Sequence, residues 1–219
     1  MPVTIIDYRD KQAPQKFVSG LKDIGFAVIS HHPLDQQPID QAYAVWEKFF
    51  KSTEKFQYTF DPKTHDGYIS TEQSETAKGY DTKDLKEFFH YYLWGRCPES
   101  CLAITKQLMI SLREMANTLL TWVEQCTPQH VKEKFSMPLP DMIKNSEQTL
   151  FRIIHYPPLT GNEPPGALRA AAHEDINLLT LLPAATADGV QKIVIILPIP
   201  DFALRILSYV SMRSMEYLT

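Results

Sequence analysis

Apolar positions along this chain recur first with a helical and later with a strand period. Val3-Thr4-Ile5-Ile6 is a β-branched run that predicts a short strand. Between Ala13 and Ile24, Phe17, Leu21 and Ile24 fall at helical spacing; Gly25 punctuates, and Phe26-Ala27-Val28-Ile29 returns to strand. A helix from Ile39 to Phe50 gathers Ala42, Val45, Trp46, Phe49 and Phe50 on one face. From Phe60 to Lys83 the chain turns polar, with Gly67, Gly79 and several Ser and Thr, and reads as a surface loop of the kind that covers a site. Leu85 to Trp94 is rich in aromatics and reads as a strand or helix end in the core, with an aromatic substrate clamp as the other reading.

The most regular helical pattern is Ser100 to Cys126, where Leu102, Thr105, Leu108, Leu112, Met115, Leu119 and Val123 recur at three- and four-residue steps. A short helix, Gln129 to Phe135, ends at Met137-Pro138-Leu139-Pro140. After residue 147 strands take over: Thr149 to Tyr156, a break at Pro157-Pro158, a loop from Gly161 to Gly166, then the stretch containing His173. Helices first and strands later predict an α+β fold with a late β-sheet or barrel.

Composition narrows the function classes. A chain of 219 residues with 44% apolar residues suits one domain with a sizeable core. A formal charge of -4 leaves no general basic footprint, so no nucleic-acid partner is expected. The first residues lack a basic segment followed by a long apolar run, and Ile193 to Leu197, closed by Pro198 and Pro200, is too short to span a bilayer. No membrane span and a cytoplasmic location are therefore expected. Cys97, Cys101 and Cys126 are expected to be reduced, structural thiols; Cys97-x-x-x-Cys101 alone is a weak zinc signal.

His173-Glu174-Asp175 carries the sharpest chemistry. In a strand, residues two apart project to the same side, so His173 and Asp175 can hold one ion while Glu174 faces away. In a helix the two point to nearly opposite sides. Ala167 to Ala172 has helical propensity, but a helix would put Asp175 on an apolar face with Leu168, Ala171, Ala172, Leu179 and Leu182, a carboxylate with no evident partner. Two histidines and one carboxylate make the facial triad of non-haem iron(II), and His-x-Asp supplies two of the three. The short motif by itself also permits a chain that binds no metal. No histidine follows His173 in these 219 residues.

Several ordered segments resemble the isopenicillin N synthase-like family of iron(II)/2-oxoglutarate-dependent oxygenases. They are Val3-Thr4-Ile5-Ile6-Asp7 with Gly25 to His32; Ala77-Lys78-Gly79 with Asp84 to His90; Phe151-Arg152-Ile153-Ile154-His155-Tyr156-Pro157-Pro158; and His173 to Leu182 with Gly189-Val190-Gln191. Ala27, His31, Pro33 and Ile154 depart from the family pattern, Ile154 standing where asparagine is usual. His31 and His32 fall in a region that does not ligate iron in the family and are expected to be structural or exposed.

The resemblance implies an α+β fold: an N-terminal helical α/β region over 1–147, then the first strands of an incomplete double-stranded β-helix, or jelly roll, over 148–191, and an atypical tail over 192–219. It implies Fe(II) on His173 and Asp175, 2-oxoglutarate as co-substrate with Tyr156 near a carboxylate, and O2 with a small organic molecule as further reactants. A buried packing role is the other reading of Tyr156. The direct oxidase mode of isopenicillin N synthase itself stays open.

The family's distal histidine and Arg-x-Ser have no counterpart after Gln191: neither Arg205-Ile206-Leu207-Ser208 nor Arg213-Ser214 has the right spacing. Phe202, Ile206 and Val210 instead suggest an amphipathic helix over Phe202 to Met212. The expectation is a frameshift or premature end after Gln191 and impaired activity. The alternative is a non-catalytic remnant or binding module.

Overall fold

A computed structural model describes residues 5–74, 82–169 and 177–183, and the backbone of 192–196. Its elements mix helix and sheet, with one four-stranded and one three-stranded sheet among the described residues. They fall into two compact units, one drawn from the described residues within Met1–Gln36, Ile110–Ser146 and Glu174–Thr219, the other from those within Gln37–Met109 and Glu147–His173.

The first unit begins β1 (Ile5–Asp7), α1 (Ala13–Ile24), β2 (Phe26–Ser30). Pro14 stands in the first turn of α1, where a missing N–H costs nothing. Ala13, Phe17 and Leu21 are its buried stripe. Gly25 ends it in the left-handed region (φ 76), donating its N–H to the Leu21 carbonyl, and the chain turns straight into β2. β2 lies parallel to β1, with Ile6 beside Ile29. Its other edge pairs antiparallel with β7 (Lys192–Ile196), which pairs antiparallel with β6 (Thr180–Pro183), giving the order β1-β2-β7-β6. The recognisable motifs stop at Gln191, yet the next five residues, Lys192-Ile193-Val194-Ile195-Ile196, form an inner strand, as their β-branched run favours.

Helix α3 (Glu99–Cys126) contributes its later turns here: Trp122 packs 5.1 Å from the Tyr8 ring and 5.9 Å from Phe17. Two short helices follow, α4 (Gln129–Lys132) and α5 (Asp141–Lys144). Arg113 donates to the Ile143 and Lys144 carbonyls at 2.8 and 2.9 Å, satisfying the end of α5.

In the second unit, α2 (Gln36–Lys51) packs its apolar face on an antiparallel sheet of β3 (Gly67–Ile69), β4 (Glu87–Tyr91) and β5 (Phe151–His155). Trp46, Phe49, Phe50, Tyr68, Phe89 and Tyr91 form the centre of this core. The Trp46 and Phe89 rings lie 4.9 Å apart, and the indole N–H donates to Thr105 Oγ1, on the early part of α3, at 2.8 Å. The aromatic stretch Leu85 to Trp94 is thus a strand of this core followed by a turn.

The polar stretch from Phe60 to Lys83, expected to be loop, contains β3, and all three of its residues are buried. Its polar signal misleads because Asp66 is itself buried. The carboxylate accepts from the Arg96 backbone N–H (2.6 Å), from the guanidinium (3.2 Å) and from Thr64 Oγ1 (2.6 Å). Burial pushes the Asp66 carboxyl up, but the bonds from Arg96 and Thr64 outweigh it and hold the group below its ordinary range. Gly67 follows at φ +109; a Cβ there would meet the Tyr58 carbonyl at 2.6 Å and the Thr59 carbonyl at 2.9 Å. Gly67→Ala should therefore cost about 3 kcal/mol through backbone strain and collision. Urea unfolding checks it; an unchanged midpoint would refute the packing described.

Candidate functional site

β4 and β5 pair Glu87 with His155, Phe88 with Ile154, Phe89 with Ile153, His90 with Arg152 and Tyr91 with Phe151. Side chains alternate across a sheet, so Glu87, Phe89, Tyr91, Phe151, Ile153 and His155 share the face on the aromatic core. Phe88, His90, Arg152 and Ile154 share the other, and exposure along the chain alternates on through Tyr156.

On the core side, Glu87 is only 6% exposed in its side chain and has three donors around it. Lys55, in the tight helical turn Thr53–Tyr58, donates at 2.9 Å; Tyr68 OH donates at 2.5 Å; His155 Nδ1 lies at 2.7 Å. The imidazole is stacked on Phe50 at 5.2 Å. Burial pushes the Glu87 carboxyl up, but the bonds from Tyr68, Lys55 and His155 prevail and hold it below its ordinary value. Burial and the same carboxylate push the Tyr68 hydroxyl well above its ordinary value, so it stays a donor.

On the opposite face, Arg152 Nε donates to His90 Nε2 at 3.0 Å, and its Cζ lies 4.8 Å from the Phe88 centroid. A guanidinium has no acceptor, so Nε2 is the unprotonated ring nitrogen, and Nδ1–H donates to the His65 carbonyl at 3.3 Å. Lys86 meets Asp84 at 2.8 Å, both side chains buried.

Tyr156 lies one residue past β5, 38% exposed, with the Arg169 guanidinium carbon 6.0 Å from its ring centroid. Arg169 also donates to the Pro157 carbonyl at 3.4 Å. The Leu85 N–H donates to the Leu168 carbonyl at 2.7 Å, fastening the approach to residue 170 beside the start of β4. Tyr156 is thus a partly exposed ring beside a cation. His173 and Asp175 lie outside the described residues, as do Ala77-Lys78-Gly79 and the Phe202–Met212 stretch. The described residues contain no cluster of three or more metal-ligating side chains. Imidazole and carboxylate are donor types that iron(II) takes, so the chemistry of His173 and Asp175 fits the metal.

His31 is exposed, at φ 52, with Nδ1 3.1 Å from Asp7; His32 is buried, and burial lowers its pKa, keeping it neutral. The three cysteines are free, and burial pushes the Cys97 thiol up to about 12, the state of an unreactive thiol.

Residues with geometry that motif reading passed over are Glu87, Lys55, Tyr68, His90 and Arg152. Only Arg152 had a local signal, since it shares parity with Tyr156 in the same predicted strand.

The profile of the family described as non-haem dioxygenase in morphine synthesis, N-terminal, matches residues 3–100. Among solved structures, a candidate oxygenase from Shewanella oneidensis is 42% identical, with a TM-score of 0.79 over 90% of this chain and 77% of that one. A candidate 2OG-Fe(II) oxygenase family protein from Caulobacter crescentus is 24% identical, with a TM-score of 0.67 over 90% and 73%. A full-length Neurospora crassa protein solved in complex with alpha-KG shares the fold at 15% identity and a TM-score of 0.68, again over 90% and 73%. Among curated proteins nothing matches.

The chain belongs to the isopenicillin N synthase-like family of iron(II)/2-oxoglutarate-dependent oxygenases. No helix among the described residues is long and apolar enough to cross a membrane.

Proposed function

We propose that this chain is an oxygenase of a small organic substrate, dependent on iron(II) and 2-oxoglutarate, and that as it stands its activity is impaired. The observation that carries this is the 42% identity to the Shewanella oneidensis candidate oxygenase across 90% of the chain. His173 and Asp175 would hold the metal, and the strands after residue 147 would be the first part of a jelly-roll core. Bound iron(II) with 2-oxoglutarate supplies oxygen activation for attack on a substrate C–H bond. Tyr156, beside Arg169, would steer a carboxylate, with the Arg169 charge lowering the cost of bringing an anion to that edge. Ile154, apolar and exposed on the same face, would keep water from the substrate.

Within these 219 residues no histidine follows His173, so the His-x-Asp motif supplies two of the three side chains of a facial triad, and no Arg-x-Ser is present. The second reading is a binding module without catalysis.

Succinate formation from 2-oxoglutarate, with iron(II) and ascorbate, separates the two when the Shewanella oneidensis protein is run alongside. The impaired-enzyme reading expects turnover lower by on the order of 100-fold or more. Equal turnover would refute the impairment, and none at saturating iron(II) would favour the binding module. Sequencing the coding DNA across codon 191 and translating the other frames shows whether a histidine and an Arg-x-Ser are encoded there.

A further inference from the structure

β5 ends at His155, and Tyr156 is the first residue past it. Exposure alternates here: Tyr156 stands out to solvent, whereas His155 turns inward to the core side. The two are joined by one planar peptide, so whatever holds the inward side chain also limits where the outward one can stand.

His155 is held by backbone and side chain together. Its backbone pairs with Glu87 in the β4–β5 ladder, its Nδ1 lies 2.7 Å from Oε1 of the same residue, and its ring stacks on Phe50 of α2 at 5.2 Å and 15°. Glu87 is itself anchored. Its Oε2 accepts from Lys55 at 2.9 Å and from Tyr68 at 2.5 Å, which ties it to the turn Thr53–Tyr58 and to β3. Among those donors Glu87 is ionised and can only accept, so His155 Nδ1 carries the proton it donates. An N–H bond to a charged carboxylate is of the stronger kind.

The chain is also constrained beyond Tyr156. Pro157 keeps Tyr156 out of the helical region. Arg169 donates to the Pro157 carbonyl at 3.4 Å, and its guanidinium carbon stands 6.0 Å from the Tyr156 centroid. The bond from Leu85 N–H to the Leu168 carbonyl fastens the segment carrying Arg169 beside the start of β4. A ring ordered before its ligand arrives has less freedom to lose on binding.

We propose that His155 is a positioning residue: its bond to Glu87 and its stack on Phe50 set the direction in which Tyr156 presents its ring and hydroxyl for binding. This rests on the proposed function for the carboxylate that Tyr156 meets, but not for how the ring is held.

The test uses the full chain labelled with 3-fluorotyrosine, in which the Tyr156 fluorine resonance is the one missing from Tyr156→Phe. His155→Phe keeps an aromatic ring for the stack and removes the bond. It should displace or broaden that resonance and weaken 2-oxoglutarate, titrated anaerobically with iron(II), about threefold. His155→Asn, whose amide can donate where Nδ1 stood, should recover part of both effects. Tyr156→Phe alone should weaken 2-oxoglutarate about tenfold. Adding His155→Phe to it should then cost nothing further, because one residue acts through the other. A merely structural loss would weaken binding by the same factor in both backgrounds. Thermal melting identifies loss of fold. Glu87→Gln, which weakens the bond from its other side and should move the same resonance, decides if His155→Phe unfolds. A Tyr156 resonance unmoved in the folded variant, or a loss that persists in the Tyr156→Phe background, would overturn the proposal. No binding of 2-oxoglutarate, or an affinity that Tyr156→Phe leaves unchanged, would sink the carboxylate reading of Tyr156, and the resonance alone then decides on His155.

Discussion

Trp46→Ala is expected to lower the unfolding free energy by about 4 kcal/mol, enough to leave a marginal domain largely unfolded at physiological temperature. Trp46 is 2% exposed and touches Phe49, Phe50 and Phe89 at 5.2, 6.0 and 4.9 Å, so truncation leaves a large void lined by rigid rings. Its indole N–H also donates to the buried Thr105 hydroxyl, a bond that alanine removes. Trp46→Phe should recover most of the volume but not that bond, and so cost about half as much. Urea denaturation of the two variants checks the order. A tolerated alanine would mean that α2 does not pack on β4 as described.

The second large effect is expected at Glu87. Glu87→Ala leaves the Lys55 ammonium, the Tyr68 hydroxyl and the His155 imidazole around an empty buried position, and breaking such a cluster costs about 3–5 kcal/mol. Glu87→Gln keeps the shape and should cost less.

The same carboxylate gives a pH signature. Its folded pKa lies below the ordinary 4.5, so the stability it contributes is fully present above about that value and is lost as pH falls through the lower, folded one. Asp66, held low by Arg96 and Thr64, acts in the same direction. Acid unfolding of the wild type should steepen below pH 4.5, and Glu87→Gln should flatten that part of the curve. An identical slope in the two proteins would show that Glu87 is not held ionised by its neighbours.

The parts of the fold legible in the sequence are those built from local signals. In α1, Phe17 and Leu21 mark the buried stripe, Pro14 the first turn and Gly25 the end, and the helix runs Ala13–Ile24 as the spacing predicts. β3 was illegible because it is three residues long and enters through Asp66, a residue type that reads as surface. What makes Asp66 a core residue is Arg96, thirty positions away. The Glu87 cluster is hidden for the same reason, drawing on Lys55, Tyr68 and His155 from separate elements.

For the site, the strand over Thr149 to Tyr156 was read from the sequence, whereas the placing of Arg152 and Ile154 on the Tyr156 side comes from the exposure that alternates along and just past β5. That His90 and Phe88 steady Arg152 depends on the β4–β5 register, which no local pattern encodes. The metal ligands rest on motif and family alone.

Anaerobic titration of the 219-residue chain with iron(II), repeated for His173→Ala and Asp175→Ala, tests the central claim most directly. The account predicts one iron(II) per chain, lost in both variants. Binding that persists undiminished in both variants, or no binding to the wild-type chain, would contradict it.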